Sequence, residues 1–157
     1  MENKIIITRI YALECVENPI LRQLYERAKS GRSQEFLAKI DGCEAGFLSY
    51  EDWSDHMLGF IYNIFILPEH RGQGIGRDLL SYSENIAKSL RCKLIQLEPR
   101  AFDHTVDLNW LISWYARMGY VSKADGSTRM EKILVVTQTR LKHQVQRSAC
   151  LSQPVRQ

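Results

Sequence analysis

The chain has 157 residues and a mass of 18.2 kDa, a length that fits one domain better than two. Its 45% hydrophobic and 25% charged residues exclude a disordered chain. Its longest nearly unbroken apolar run, Ile61 to Leu67 with Asn63 inside it, is far shorter than the roughly 20 residues that span a bilayer.

The formal net charge is +3, but four of the 21 basic residues and no acid fall in residues 137–157, which leaves 17 bases against 18 acids in the body. The positive balance therefore belongs to a tail (Arg140, Lys142, Arg147, Arg156) rather than to a folded face. That tail has no aromatic residue to stack on a base, which argues against a nucleic-acid partner. We expect a domain over residues 1–136 and a loosely ordered tail over 137–157, because a terminal segment with only one amphipathic turn or two is marginal in water. The start, Met1-Glu2-Asn3-Lys4 running straight into Ile5-Ile6-Ile7, lacks a signal-peptide pattern.

Lys4 to Tyr11 is rich in Ile and predicts a strand. Asn18-Pro19 predicts a helix start, with Ile20, Leu21, Leu24, Tyr25 and Ala28 on one face and Gly31 as the stop. Glu35–Ile40 and Cys43–Tyr50 predict a hairpin around Asp41-Gly42. A polar loop, Glu51 to His56, leads into a long strand from Leu58 to Leu67, ended by Pro68. Ile75, Leu79, Tyr82, Ile86 and Leu90 recur at helix period. Lys93–Leu97 reads as a strand, Asp107–Met118 as a helix closed by Gly119, and Tyr120–Ser122 and Arg129–Val136 as two more strands. The expected class is α/β or α+β, with a mixed sheet of about seven strands and flanking helices.

Cys15, Cys43, Cys92 and Cys150 form no C-x-x-C pair and sit at no metal-finger spacing. We expect no metal and no disulfide framework, a cytoplasmic location, and Cys15 and Cys43 acting as small hydrophobes.

The most informative stretch is Asn63 to Arg77. A strand runs into a turn with Gly72, Gly74 and Gly76 at alternate positions, and a helix begins there. Glycine admits positive φ and lets backbone amides crowd a ligand. A helix start leaves N–H groups unpaired, so the turn is suited to a pyrophosphate, with Arg71 and Arg77 able to add charge-assisted bonds. A P-loop needs Gly-Lys-Ser/Thr, and a dinucleotide fingerprint needs glycine where Arg77 stands. Neither is present.

Arg71-x-x-Gly74-x-Gly76 resembles the acetyl-CoA signature of the GNAT-type N-acetyltransferases. The lead-in Ile66–His70, the Leu79-Leu80 helix, and Trp114-Tyr115-Ala116-Arg117-Met118-Gly119-Tyr120 are similar to the same family. The resemblance implies a GNAT-like fold whose two central parallel strands splay apart around the cofactor's pantetheine arm. It implies backbone contacts from Phe65, Ile66 and Leu67, a pyrophosphate held by the amides of Gly72, Gln73, Gly74, Ile75, Gly76 and Arg77, and an oxyanion donor near Phe65 or Ile66. Asn109 is a substitute for an asparagine that the family often places seven residues before its tyrosine; here that position is Leu108.

The implied activity is acetyl transfer from acetyl-CoA to a primary amine, with Tyr115 as general acid. A phenol, with pKa near 10, can donate to a thiolate whose acid has pKa about 8.5 when the two are held close. Glu98, then His56, then Asp103 are candidate bases. Glu51, Asp52, Asp55, Phe102, Asp103 and Trp110 are candidate acceptor contacts. The segments Glu51–His56 and Glu98–Asp107 carry five net negative charges, and an acidic cleft favours a cationic small molecule or a lysine-bearing peptide. Solvated loop charge is the alternative reading, and a non-catalytic module that senses CoA is the alternative function. The apolar last strand leaves a homodimer open.

Overall fold

The computed structural model describes residues 3–135. Seven strands form one mixed sheet: β1 (Ile5–Arg9), β2 (Ser33–Ile40), β3 (Cys43–Trp53), β4 (Leu58–Ile66), β5 (Leu94–Leu97), β6 (Val121–Ser122) and β7 (Met130–Ile133). Three helices accompany it: α1 (Pro19–Ala28), α2 (Ile75–Ser89) and α3 (Leu108–Arg117). The strand order is β1-β2-β3-β4-β5-β7-β6, and only β4 and β5 are parallel neighbours. The mixed α/β class and the order of elements match the expectation from sequence.

Local chemistry explains most boundaries. The Asn18 side chain accepts from the N–H groups of Ile20 and Leu21, with Pro19 in the first helical turn. Asp41 and Gly42 both take positive φ, 49° and 84°, which the tight β2–β3 turn requires. Asp107 caps α3 by accepting from Asn109 N–H. Two expectations are corrected. The first helix ends at Ala28, before Gly31, and Ile20 is exposed rather than on the buried face. Glu51 to Trp53 continue β3, so only Ser54 to Met57 form the connection to β4.

Buried side chains form two clusters, one on each face of the sheet. On one face α1 contributes Leu21, Tyr25 and Ala28 against Leu37, Phe47 and Phe65. On the other, Ile75, Leu79, Leu80 and Ala87 of α2 pack with Leu48, Tyr50, Ile61, Ile95 and Leu97, and Tyr115 of α3 joins them.

Two features of β4 shape the site. Ser49 pairs with Asn63 and Tyr50 pairs with Ile61, so Tyr62 is an extra residue with no partner on β3. This bulge inverts the alternation of side chains: Ile61 faces the α2 cluster, and beyond the bulge Ile64 and Ile66 pack against that cluster while Phe65 joins the α1 cluster. In addition, β4 pairs with β5 only from Leu58↔Leu94 to Ile61↔Leu97. From Tyr62 onward β4 has no partner on that side, and the two parallel strands part there.

The end of the chain differs in detail from expectation. The last described strand stops at Ile133, and Val136 together with the tail 137–157 lies outside the described residues. Cys15 and Cys43 are exposed instead of acting as buried hydrophobes, while Cys92 is buried; all three are free thiols. Among the described residues no helix is long and apolar enough to cross a membrane, and no cluster of side chains has the make-up of a metal site.

Candidate active site

Leu67 leaves β4 and leads through Pro68–His70, a single tight helical turn, into the glycine segment. Gly72 and Gly74 have φ of +79° and +85°. A Cβ at either would meet nothing within 4 Å, so glycine is required there by backbone conformation and not by space. Gly76 has no positive φ, and its Cβ would touch the Trp114 ring at an ordinary 3.6 Å. No backbone bond uses the N–H of any residue from Gly72 to Arg77, whereas Asp78 N–H returns to Gly74 O at 3.1 Å. Six successive donors are thus unpartnered among the described residues, at the positive end of the 15-residue helix α2.

Below this turn lies a cavity of about 440 Å³, within the range of small-molecule sites. Its walls are Ile64–Ile66, the turn, the segment after β5 and α3, including Arg77, Phe102, Asp103, Trp110, Trp114 and Tyr115. Beyond it, where β4 and β5 part, is a recess of about 10 Å³ lined by Ile61, Asn63, Leu97, Glu98 and Tyr115 among others, room for roughly one water. Ile64, Arg100, Phe102 and Tyr115 border both.

The direction of the backbone groups follows from one bond. Leu67 N–H donates to Ala45 O at 2.8 Å, so Leu67 and Phe65 turn their polar groups toward β3, and the alternate residues Ile64 and Ile66 turn theirs toward the gap. Phe65 and Leu67 are therefore not the backbone contacts that the sequence suggested; their side chains are buried in the α1 cluster. Ile64, which the sequence reading did not name, turns its polar groups to the gap together with Ile66. Ile66 O is already taken by Arg71 Nε at 3.1 Å.

Arg71 is likewise engaged. It donates to Asp103 at 3.1 Å and to Thr105 Oγ1, so its guanidinium ties the segment after β5 to the end of β4 and does not reach for an anion. Thr105, with Arg71 in support, holds the Asp103 carboxyl below the usual carboxylate range. Arg77 lines the cavity.

Tyr115 is 6% exposed, and burial pushes its phenol well above the ordinary value. It is a neutral O–H that retains its proton. Trp114 and Tyr120 pack edge-on against its ring at centroid distances of 5.0 and 6.0 Å, and Tyr120 is anchored by donating to Glu84 at 3.0 Å. Glu98, next to the end of β5, accepts from Thr128 Oγ1 at 2.7 Å and from Arg100 Nη2 at 2.9 Å. Those two bonds hold its carboxyl below the usual range, Thr128 contributing most.

The remaining candidates are not brought together. Glu51, Asp52, Asp55 and His56 sit at the opposite end of β4, where Asp52 pairs with Gly59 and Trp53 with Leu58. None borders either cavity. Each acid there has a structural partner: Glu51 accepts from Trp53 Nε1 at 3.0 Å, Asp52 from Ser54 N–H at 2.9 Å, and Asp55 from Arg32 at 2.8 Å. His56 is exposed beside Asp55, 3.5 Å away. The acidic cleft inferred from two loops does not form, because folding separates the loops by the length of a strand. Asn109 is exposed on α3 and outside the cavity wall, and the Gln73 side chain is also outside it. Phe102 and Trp110 line the cavity while 46% and 55% exposed.

The model of the acetyltransferase (GNAT) family matches residues 6–120 of the chain. Solved structures share the fold. The ribosomal-protein-S18-alanine N-acetyltransferase from Escherichia coli is 17% identical, with 85% of this chain and 96% of that one covered at a TM-score of 0.61. A GNAT family acetyltransferase from Elizabethkingia anophelis, with acetyl-CoA bound, is 18% identical over 83% of this chain and 98% of that one, at 0.63. The PaiA N-acetyltransferase from Thermoplasma acidophilum, in complex with coenzyme A, is 15% identical over 83% and 99%, at 0.59. The unpartnered amides, the positive-φ glycines and the gap between β4 and β5 fit such a group on this chain's own geometry. With a matched stretch covering well over half of its length, the chain belongs to the acetyltransferase (GNAT) family, whose acyl donor is acetyl-CoA.

Proposed function

We propose that this protein is an N-acetyltransferase that acetylates a primary amine, with Tyr115 as proton donor to the departing thiolate and Glu98 as base. The observation that carries the reading is the position of Tyr115. It is a buried, neutral phenol on the wall shared by the cavity under the amide turn and the recess between the parallel strands.

When bound, acetyl-CoA supplies the activated acyl group. The amides of residues 72–77 would hold its pyrophosphate, and the N–H groups of Ile64 and Ile66 would face its arm and stabilise charge on the carbonyl oxygen. Tyr115 donates a proton as the thiolate leaves. Glu98, which lines the recess, takes a proton from the amine directly or through one water. Its two hydrogen bonds make it a weak base that is ionised at neutral pH.

For the acceptor we propose a cationic small molecule or a lysine-bearing peptide. With Glu51, Asp52 and Asp55 outside the cavity, the support is Glu98 and the exposed faces of Phe102 and Trp110, which attract ammonium groups. The free thiols Cys15, Cys43 and Cys92 support a reducing, cytoplasmic location. Exposed Val121, Ile133 and Val135 at the β6–β7 edge support association of two copies there.

The test is release of CoA thiol, followed by colour, over a panel of primary amines. Turnover with any of them supports the transferase. Acetyl-CoA binding by calorimetry with no thiol release across the panel would favour a sensing module of the same fold.

A further inference from the structure

We infer that Asn63 binds the acceptor amine, its side-chain amide taking one N–H of the incoming nitrogen. The inference rests on the transferase reading above and names the residue that would select a primary amine.

Asn63 is 5% exposed, and its carboxamide oxygen is buried with no hydrogen-bond partner. Among the described residues only one other buried side-chain atom, Tyr50 Oη, shares that condition. Leaving a buried acceptor unpaired costs about 1–3 kcal/mol, so such a group calls for an occupant or a reason. Asn63 also lines the recess of about 10 Å³ where β4 and β5 part, opposite Glu98 and Tyr115. The residue whose amide oxygen lacks a donor therefore borders the space between the proposed acid and the proposed base.

The bulge at Tyr62 accounts for this position. Asn63 follows the extra residue and stands beside the last paired step of β4 with β5, Ile61↔Leu97. It also ends a row of buried polar residues. Glu35 of β2 pairs with Ser49 of β3, and Ser49 pairs with Asn63. All three are below 10% exposed on a face whose other members are Leu37, Phe47 and Phe65. Ser49 Oγ donates to Glu35 Oε1 at 3.5 Å. With that proton committed, Ser49 offers Asn63 only lone pairs. Turning the Asn63 amide about its last bond sets its NH₂ toward those lone pairs and brings the oxygen, otherwise buried without a partner, round to the recess. Burying three polar groups in line on an apolar face is unfavourable unless they are paired, and an amine completes the pairing at the open end.

The chemistry then sorts acceptors. A neutral primary amine carries two N–H groups. As its nitrogen bonds to the acyl carbon and the C–S bond breaks, one N–H proton passes to the base and Tyr115 protonates the thiolate. The second N–H remains on nitrogen in the product amide and stays on Asn63. A secondary amine loses its only N–H and leaves Asn63 without a donor.

The experiment compares wild type with Asn63→Leu, which keeps the bulk, and Asn63→Asp, which keeps an oxygen acceptor. The probes are benzylamine, spermidine and a lysine peptide, each beside its N-methylated counterpart, with acetyl-CoA affinity measured separately by calorimetry. The expected result for Asn63→Leu is a KM for the primary amine raised about 10- to 100-fold, the range for one buried hydrogen bond, with kcat and acetyl-CoA affinity within about 3-fold of wild type. Preference for primary over N-methylated amine should fall by a similar factor, and Asn63→Asp should retain most of it. An unchanged KM and an unchanged preference in Asn63→Leu would overturn the inference while leaving the transferase intact, as would a loss of amine binding matched by loss of acetyl-CoA binding. Wild type that binds acetyl-CoA and acetylates no probe would remove the transferase reading and this inference with it. Should Asn63→Leu fail a thermal-unfolding control, Asn63→Ser is read by the same criteria.

Discussion

Arg71 and Asp103 lie 3.1 Å apart and 32 residues apart in sequence, so the arginine that opens the glycine signature is directed at the segment after β5 and away from the anion site beside it. The same guanidinium reaches Ile66 O and Thr105. It works as a clasp that sets the far wall of the cavity against the end of β4.

From this clasp, Asp103→Ala should weaken acetyl-CoA binding by up to about 5-fold, since an ion pair roughly one-third exposed is worth on the order of 1 kcal/mol or less. Arg71→Ala should weaken it further, because it also frees Ile66 O and Thr105. Calorimetry with acetyl-CoA ranks the two. Equal and negligible effects would show that the wall holds its place without Arg71.

The glycines of the turn should separate by conformation. Gly74→Ala forces a Cβ onto a residue at φ +85°, at about 1–2 kcal/mol, and tilts the amides that follow, so acetyl-CoA affinity should drop at least about 10-fold. Gly76→Ala places its Cβ at 3.6 Å from the Trp114 ring without a positive φ and should bind nearly as wild type does. Paired titrations check this; an equal loss in both variants would show that crowding rather than backbone geometry decides.

Tyr115→Phe should leave acetyl-CoA affinity unchanged and reduce turnover about 10- to 1000-fold, the span for a positioned acid. Burial raises the Tyr115 phenol above its ordinary value, so its proton is retained through the working range. The wild-type rate should therefore climb with pH as the amine loses its proton, with no decline from Tyr115 below about pH 10. A decline centred below pH 9 that vanished in Tyr115→Phe would contradict that placement.

Glu98 is held low first by Thr128 and then by Arg100. Thr128→Val removes the 2.7 Å bond and should raise the Glu98 pKa toward the ordinary carboxylate value. The sign is that of a depressed acid: wild type keeps the ionised form as pH falls, and the variant loses it at higher pH. The acid limb of kcat should move upward in Thr128→Val, measured from pH 4 to 7 with the thiol-release assay. A limb that stayed in place would exclude Glu98 as the base.

Local sequence chemistry settles much of this molecule. Asn18-Pro19, Asp41-Gly42, Pro68 and Asp107 are legible because a cap, a positive-φ turn or a blocked ladder depends on a few neighbouring residues. The glycine turn is legible for the same reason, as a backbone conformation, whereas Tyr115 stands out only through the family resemblance, since a tyrosine at helix spacing is ordinarily a core residue.

What needed three dimensions is whatever depends on register. Glu51–His56 and Glu98–Asp107 group together by charge, yet they lie beyond opposite ends of the stretch over which β4 and β5 pair. Phe65 and Leu67 look interchangeable with Ile64 and Ile66 in a run of apolar residues, but alternation along β3 decides which pair turns its amides to the gap. Asn63 reads as a lone polar residue interrupting a strand. Only the extra residue Tyr62, visible in no local pattern, swings it to the face shared with Ser49 and Glu35 and to the point where the parallel strands part, because pairing between strands is set by partners far away in the chain.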